Sequence, residues 1–142
     1  MKFLTRGLVI VVIIVHMMFF LLEAFFWMVP EVYHILLDFL NNPVRTEYPI
    51  QAITLKGLFI NQGFYNLFIT CAGVEGLYLV YKRNYAVGYA LILFLCFCGF
   101  GAGIVLALST RGYILAFLQA VPAALAFLNI YPLYKKASAI LT

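Results

Sequence analysis

Apolar residues occur in long, nearly uninterrupted runs along this chain, and polar residues collect where the runs end. Four runs of about 20 or more residues are long enough, at about 1.5 Å per helical residue, to cross a hydrocarbon core of about 30 Å. They predict transmembrane helices over about 7–29, 57–81, 86–108 and 112–134. Because few residues remain for loops, we predict one transmembrane domain over residues 1–142.

The longest loop between these runs, Pro30 to Lys56, mixes apolar residues with Glu31 and Asp38. A mixture of this kind is typical of a short helix in the membrane interface. We expect that helix to end near the turn-forming run Asn41-Asn42-Pro43 and to act as a lid over the bundle. The predicted fold is an all-α membrane protein, a four-transmembrane-helix antiparallel bundle with a short interfacial helix in the first loop.

The composition excludes a water-soluble globule, because 66% of the residues are hydrophobic and only 10% are charged. The net charge of +4 does not indicate nucleic-acid binding, since the basic residues are scattered near the ends of the spans. The expected partner is the lipid bilayer. Six of the nine basic residues lie on one side of it, at Lys2, Arg6, Lys82, Arg83, Lys135 and Lys136. The positive-inside rule then predicts cytoplasmic termini, and we expect the bacterial inner membrane.

Two ionisable side chains fall inside the first span. His16 and Glu23 are seven residues apart, which places them within about 20° on one stripe of a helix. Trp27, four residues beyond Glu23, extends that stripe. A charged residue near the bilayer centre costs at least about 2.5 kcal/mol, so Glu23 is expected to face the interior of the bundle.

Further polar residues lie at matching depths in two other spans. Asn61, Gln62, Tyr65 and Asn66 form a polar face in the second span, and Gln119 lies in the fourth. We therefore predict a polar pocket in the outer half of the bundle, with His16 at its floor. The candidate ligand-binding residues are His16, Glu23, Trp27, Asn61, Gln62, Tyr65, Asn66 and Gln119. One histidine and one glutamate fall short of a usual zinc centre, so no metal and no cofactor are expected.

Three functions fit this pocket. The first is a binder or transporter of a small, partly apolar molecule, with Glu23 as a proton-linked acceptor and the amides as orienting groups. The second is an intramembrane enzyme that uses His16 and Glu23 as an acid-base pair on a lipid or quinone-like substrate. The third is a structural or assembly subunit, in which the polar layer only fixes how the helices pack.

The third span carries small residues in place of polar ones. Gly99 and Gly103 form a small-xxx-small pattern, which lets two helices approach closely. The pattern has two interpretations. It serves either helix packing within the bundle or the contact face of a homodimer.

Four blocks of this sequence resemble a known family. They are H-x6-E-x3-W from His16 to Trp27, N-Q-G-x-Y-N from Asn61 to Asn66, A-G at Ala102 and Gly103, and Q-x-x-P from Gln119 to Pro122. In order and spacing they resemble a small bacterial and fungal membrane family catalogued as domain of unknown function 1304. The sequence departs from the family at Leu67, where glycine is usual, and in its long first loop. The resemblance implies a four-helix integral membrane protein and carries over no activity.

Overall fold

The computed structural model describes residues 1–40 and 44–140, and these residues form an all-helical protein. The predicted turn at Asn41-Asn42-Pro43 lies outside the described residues. The helices are α1 (Phe3–Phe20), which continues into a π-helical turn (Leu21–Phe25), then α2 (Pro30–Leu40), α3 (Tyr48–Tyr81), α4 (Tyr85–Ser109) and α5 (Tyr113–Ser138).

Within residues 1–40 and 44–140, four helical stretches are long and apolar enough to cross a membrane. They are α1 with the π-helical turn, α3, α4 and α5. This confirms the prediction of an integral membrane protein with four apolar helices. α4 packs on both α3 and α5, and α1 contacts α3, α4 and α5.

The first helix ends earlier than expected. The sequence predicted a span that Pro30 stops at Val29, whereas the helix ends at Phe25 and a turn follows it. Pro30 instead begins α2. Proline is favourable at the first position of a helix, because its missing amide hydrogen would have no helical partner there.

The second long helix begins earlier than expected. α3 starts at Tyr48, not near Gly57, and its 34 residues span about 51 Å. The added turns are held by packing, because Gln51 and Ala52 are both buried there. This part of the sequence also contains polar and charged residues, so it does not extend the apolar run that marked the span.

Glycines bring the backbones of neighbouring helices into close contact. A Cβ atom added to Gly103 would lie 2.8 Å from the carbonyl oxygen of Ala116 and from the backbone nitrogen of Ala120, both on α5. One added to Gly99 would lie 2.8 Å from the His16 ring of α1. Both glycines therefore pack against helices of the same chain. The face predicted as the alternative homodimer contact is occupied within this chain, which corrects that expectation.

We expect Gly103→Ala to destabilise the protein by about 1 to 3 kcal/mol, because the added methyl group would meet backbone atoms that cannot rotate away. Gly101→Ala, on the same helix, is the matched control, since a Cβ atom added to Gly101 would meet no neighbouring atom within 4 Å. We expect it to be neutral or stabilising, given alanine's higher helix propensity. Thermal unfolding in detergent tests this, and equal unfolding temperatures for both variants would contradict the packing described here.

Candidate functional site

The π-helical turn brings Glu23 against α3. At the same level, a Cβ atom on Gly63 would lie 2.9 Å from the backbone nitrogen of Ala24, so only a glycine lets α3 approach so closely. π-helical turns inside α-helices often occur at functional sites. Here the turn places the Glu23 side chain in the interior, where it is only 8% exposed.

Asn66 is the hydrogen-bond partner of Glu23. Its Nδ2 atom donates to Oε2 of Glu23 at 2.8 Å and to the carbonyl oxygen of Gln62 at 3.3 Å. An amide nitrogen carries two hydrogens, so both donors of Asn66 are used. In the described part of the chain, the other carboxylate oxygen of Glu23, Oε1, has no donor. Glu23 therefore keeps one acceptor available for a ligand.

A cavity of about 490 Å³ lies beside this pair. Most of its wall is apolar and comes from α1, α2, α3, α4 and α5. Its polar side chains among the described residues are few, and they are Glu23, Gln62, Asn66, Ser109, Thr110 and Gln119. Among the described residues that line it, Glu23 is the only ionisable one. This size and lining are typical of small-molecule sites, which are largely apolar with a few placed polar groups.

The cavity brings together four of the predicted site residues, namely Glu23, Gln62, Asn66 and Gln119. The Gln119 side chain is buried, and no hydrogen bond to its amide occurs within the described residues. Gln119 can therefore both donate to and accept from a molecule in the cavity. The Gln62 side chain is similarly free among the residues described, because only its backbone carbonyl bonds to Asn66.

Trp27 is buried but does not line the cavity. Its Nε1 atom donates to the carbonyl oxygen of Ala52 at 2.8 Å, and its ring stacks on Phe59 at a centroid distance of 3.6 Å. Phe59 does line the cavity. The expectation that Trp27 contacts the ligand is therefore corrected: Trp27 lies in the turn after the first helix, joins that turn to α3 and supports a residue of the cavity wall.

His16 also lies outside the cavity lining, so its expected place at the floor is wrong. The side chain is fully buried, and its Nδ1 atom lies 2.9 Å from the carbonyl oxygen of Val12. A carbonyl oxygen can only accept, so Nδ1 carries the hydrogen. The ring packs closely against Gly99 of α4. An acid-base pair of His16 and Glu23 acting on one substrate therefore has no geometric support.

Asn61 and Tyr65 point away from the cavity. Both are exposed on the bundle surface, with 53% of Tyr65 accessible, and neither lines the cavity. The polar face predicted for the second span thus divides between interior and surface. α3 rotates Gly63 and Asn66 inward, and at 100° per residue this turns Asn61 and Tyr65 outward.

Parts of the cavity wall were not predicted from the sequence. Leu36 and Leu40 of α2 form one wall, and Ser109 and Thr110 lie where α4 ends. The apolar face of α2 was visible in the sequence, and in the structure α2 contacts α3 and lines the cavity. The sequence did not indicate Ser109 and Thr110 as cavity residues, because polar residues are common at the end of an apolar run.

Comparison with known proteins gives one match. The family model described as "Protein of unknown function (DUF1304)" matches residues 10–131, which include all the polar residues of the cavity. No curated protein and no solved structure matches the chain.

Proposed function

Because the chain belongs to the DUF1304 family, whose function is unknown, we propose an activity from the site itself: the protein binds a small, mostly apolar molecule within the membrane. The observation that carries this proposal is the buried Glu23 carboxylate, which Asn66 orients at the wall of the cavity. The free Oε1 atom is an acceptor, so the ligand has a hydroxyl, amine or ammonium group that donates to it.

The cavity lining supports a ligand with one polar end. Aliphatic and aromatic side chains surround most of the space, including Phe19, Leu58, Phe59, Val105 and Leu115. Its volume of about 490 Å³ lies within the common range for small-molecule sites, about 300 to 1,000 Å³. The amides of Gln62 and Gln119 then orient the polar end against Glu23 and discriminate among its substituents.

We further propose that the protein transports this molecule and that transport is linked to protons. Among the described residues that line the cavity, Glu23 is the ionisable one. Its protonation would replace an acceptor with a donor, which would weaken the binding of a ligand that donates a hydrogen bond to it. In this arrangement the four membrane helices are an antiparallel bundle with cytoplasmic termini, α2 lies in the interface, and the cavity occupies the outer half. The distribution of basic residues supports the orientation, and the presence of α2 at the cavity wall supports its place beside the bundle.

The test compares small molecules that purify with the protein. Mass spectrometry after gentle purification is expected to detect a retained molecule, and Glu23→Gln is expected to lower its amount at least about tenfold, the loss of about 1.4 kcal/mol. The glutamine side chain keeps a carbonyl oxygen for Asn66, so the fold is preserved. Glu75→Gln is the control, because Glu75 is exposed on α3 and does not line the cavity.

If the wild type, Glu23→Gln and Glu75→Gln retain equal amounts of the molecule, the molecule does not bind through Glu23. Uptake into proteoliposomes then tests the transport step separately. We expect pH-dependent uptake of the identified molecule by the wild type and none by Glu23→Gln. Pull-down of a partner protein that is unaffected by Glu23→Gln, together with no retained molecule, would favour the assembly subunit.

A further inference from the structure

A second cavity, of about 400 Å³, lies at the other end of the bundle. Arg6 of α1 and Arg83, in the turn between α3 and α4, both line it, although they are far apart in the sequence. We propose that this cavity binds the phosphate group of an anionic phospholipid, with the guanidinium groups of Arg6 and Arg83 as its contacts. The site is separate from the Glu23 cavity and does not depend on the function proposed for that cavity.

The backbone at Arg83 is strained. Its φ angle is 65°, the left-handed conformation that normally favours glycine at the end of a helix. The turn is closed by hydrogen bonds from the Asn84 nitrogen to the Leu79 carbonyl at 2.9 Å and from the Arg83 nitrogen to the Val80 carbonyl at 3.1 Å. A residue with a side chain costs about 1 to 2 kcal/mol in this conformation. A strained residue of this kind points to a functional role for its side chain.

The charges in this cavity fit a phosphate. Among the described residues that line it, both charged side chains are arginines and none is acidic. Neither guanidinium group forms an ion pair with an acidic side chain in the described part of the chain. Guanidinium groups are planar and bind phosphate oxygens through paired hydrogen bonds. Two of them on one cavity therefore give it the charge and the donors that a phosphate group requires.

The remaining wall indicates a lipid and not free phosphate. Ile10, Leu77 and Val80 give the cavity an apolar side, along which acyl chains can lie. Tyr81 and Tyr85 also line it, and tyrosine is common at the membrane interface. Six of the nine basic residues are predicted to lie on this side of the membrane, and such clusters attract anionic headgroups.

Lipid binding by the purified full-length chain tests the site. Native mass spectrometry measures binding of phosphatidylglycerol, phosphatidylcholine and inorganic phosphate to the wild type and to Arg83→Gly, Arg6→Gln and Arg111→Gln. We expect phosphatidylglycerol to bind the wild type, and to bind about tenfold more weakly to Arg83→Gly and Arg6→Gln. Arg111→Gln, which removes an equal charge away from this cavity, should bind like the wild type.

Thermal unfolding separates a lost site from a lost fold. Arg83→Gly relieves the left-handed strain, so its unfolding temperature in detergent should equal or exceed that of the wild type. The proposal is overturned if Arg83→Gly and Arg6→Gln bind phosphatidylglycerol as well as Arg111→Gln does. It is also overturned if phosphatidylcholine binds equally well, or if inorganic phosphate binds with the same affinity and the same dependence on arginine.

Discussion

Replacing Asn66 with leucine is expected to lower the free energy of unfolding by about 3 kcal/mol, because it leaves the buried Glu23 carboxyl group without its donor. Leaving a buried acceptor without its donor costs its full desolvation penalty, about 1 to 3 kcal/mol. Reversible unfolding in mixed micelles measures the change. Asn129→Leu is the matched control, because within the described residues the exposed Asn129 amide donates only to Leu125 of its own helix.

A second substitution identifies the cause of this loss. Adding Glu23→Leu to Asn66→Leu is expected to restore most of the stability, because replacing both partners of a buried hydrogen bond with apolar groups can be nearly neutral. If Asn66→Leu costs no more than Asn129→Leu, the Glu23 carboxyl group is not held by Asn66. If the double variant is as unstable as Asn66→Leu alone, the loss comes from packing.

Replacing Ala102 with phenylalanine is expected to lower the amount of the small molecule that purifies with the protein about a hundredfold. Ala102 of α4 lines the cavity, so the added ring would occupy the space that the ligand needs. The change removes no polar group, and the Glu23–Asn66 hydrogen bond stays intact. Mass spectrometry of retained small molecules measures the effect.

Ala107→Phe is the control for the blocked cavity. Ala107 is on the same helix and is also partly buried, but it does not line the cavity. We expect this variant to retain the molecule at the wild-type level. Full retention by Ala102→Phe, with an unfolding temperature like that of the wild type, would show that the molecule binds elsewhere.

The apolar spans and the level of the polar layer followed from the sequence, for physical reasons. A bilayer sets the length of a crossing helix, so four apolar runs indicate four crossing helices. Rise per residue converts a position into a depth, and this arithmetic put Glu23 and Asn66 in one layer. In the structure their side chains are 2.8 Å apart.

The directions in which individual side chains point could not be predicted from the sequence, because they depend on where the helices contact one another. His16 shares a helical stripe with Glu23, but the π-helical turn at Leu21–Phe25 breaks the regular spacing between them. Close contacts at Gly63 and Gly99 then set the rotation of α3 and the place of the His16 ring. These contacts are tertiary, and helical periodicity alone does not contain them.

The most direct measurement is an experimental structure of the purified protein in a lipid nanodisc, with the molecule that it retains. We predict density for one small molecule in the cavity, with a polar atom within about 3.2 Å of the free Oε1 atom of Glu23. Density for a retained molecule at another place, while Oε1 bonds to a residue of the protein, would contradict the proposed site.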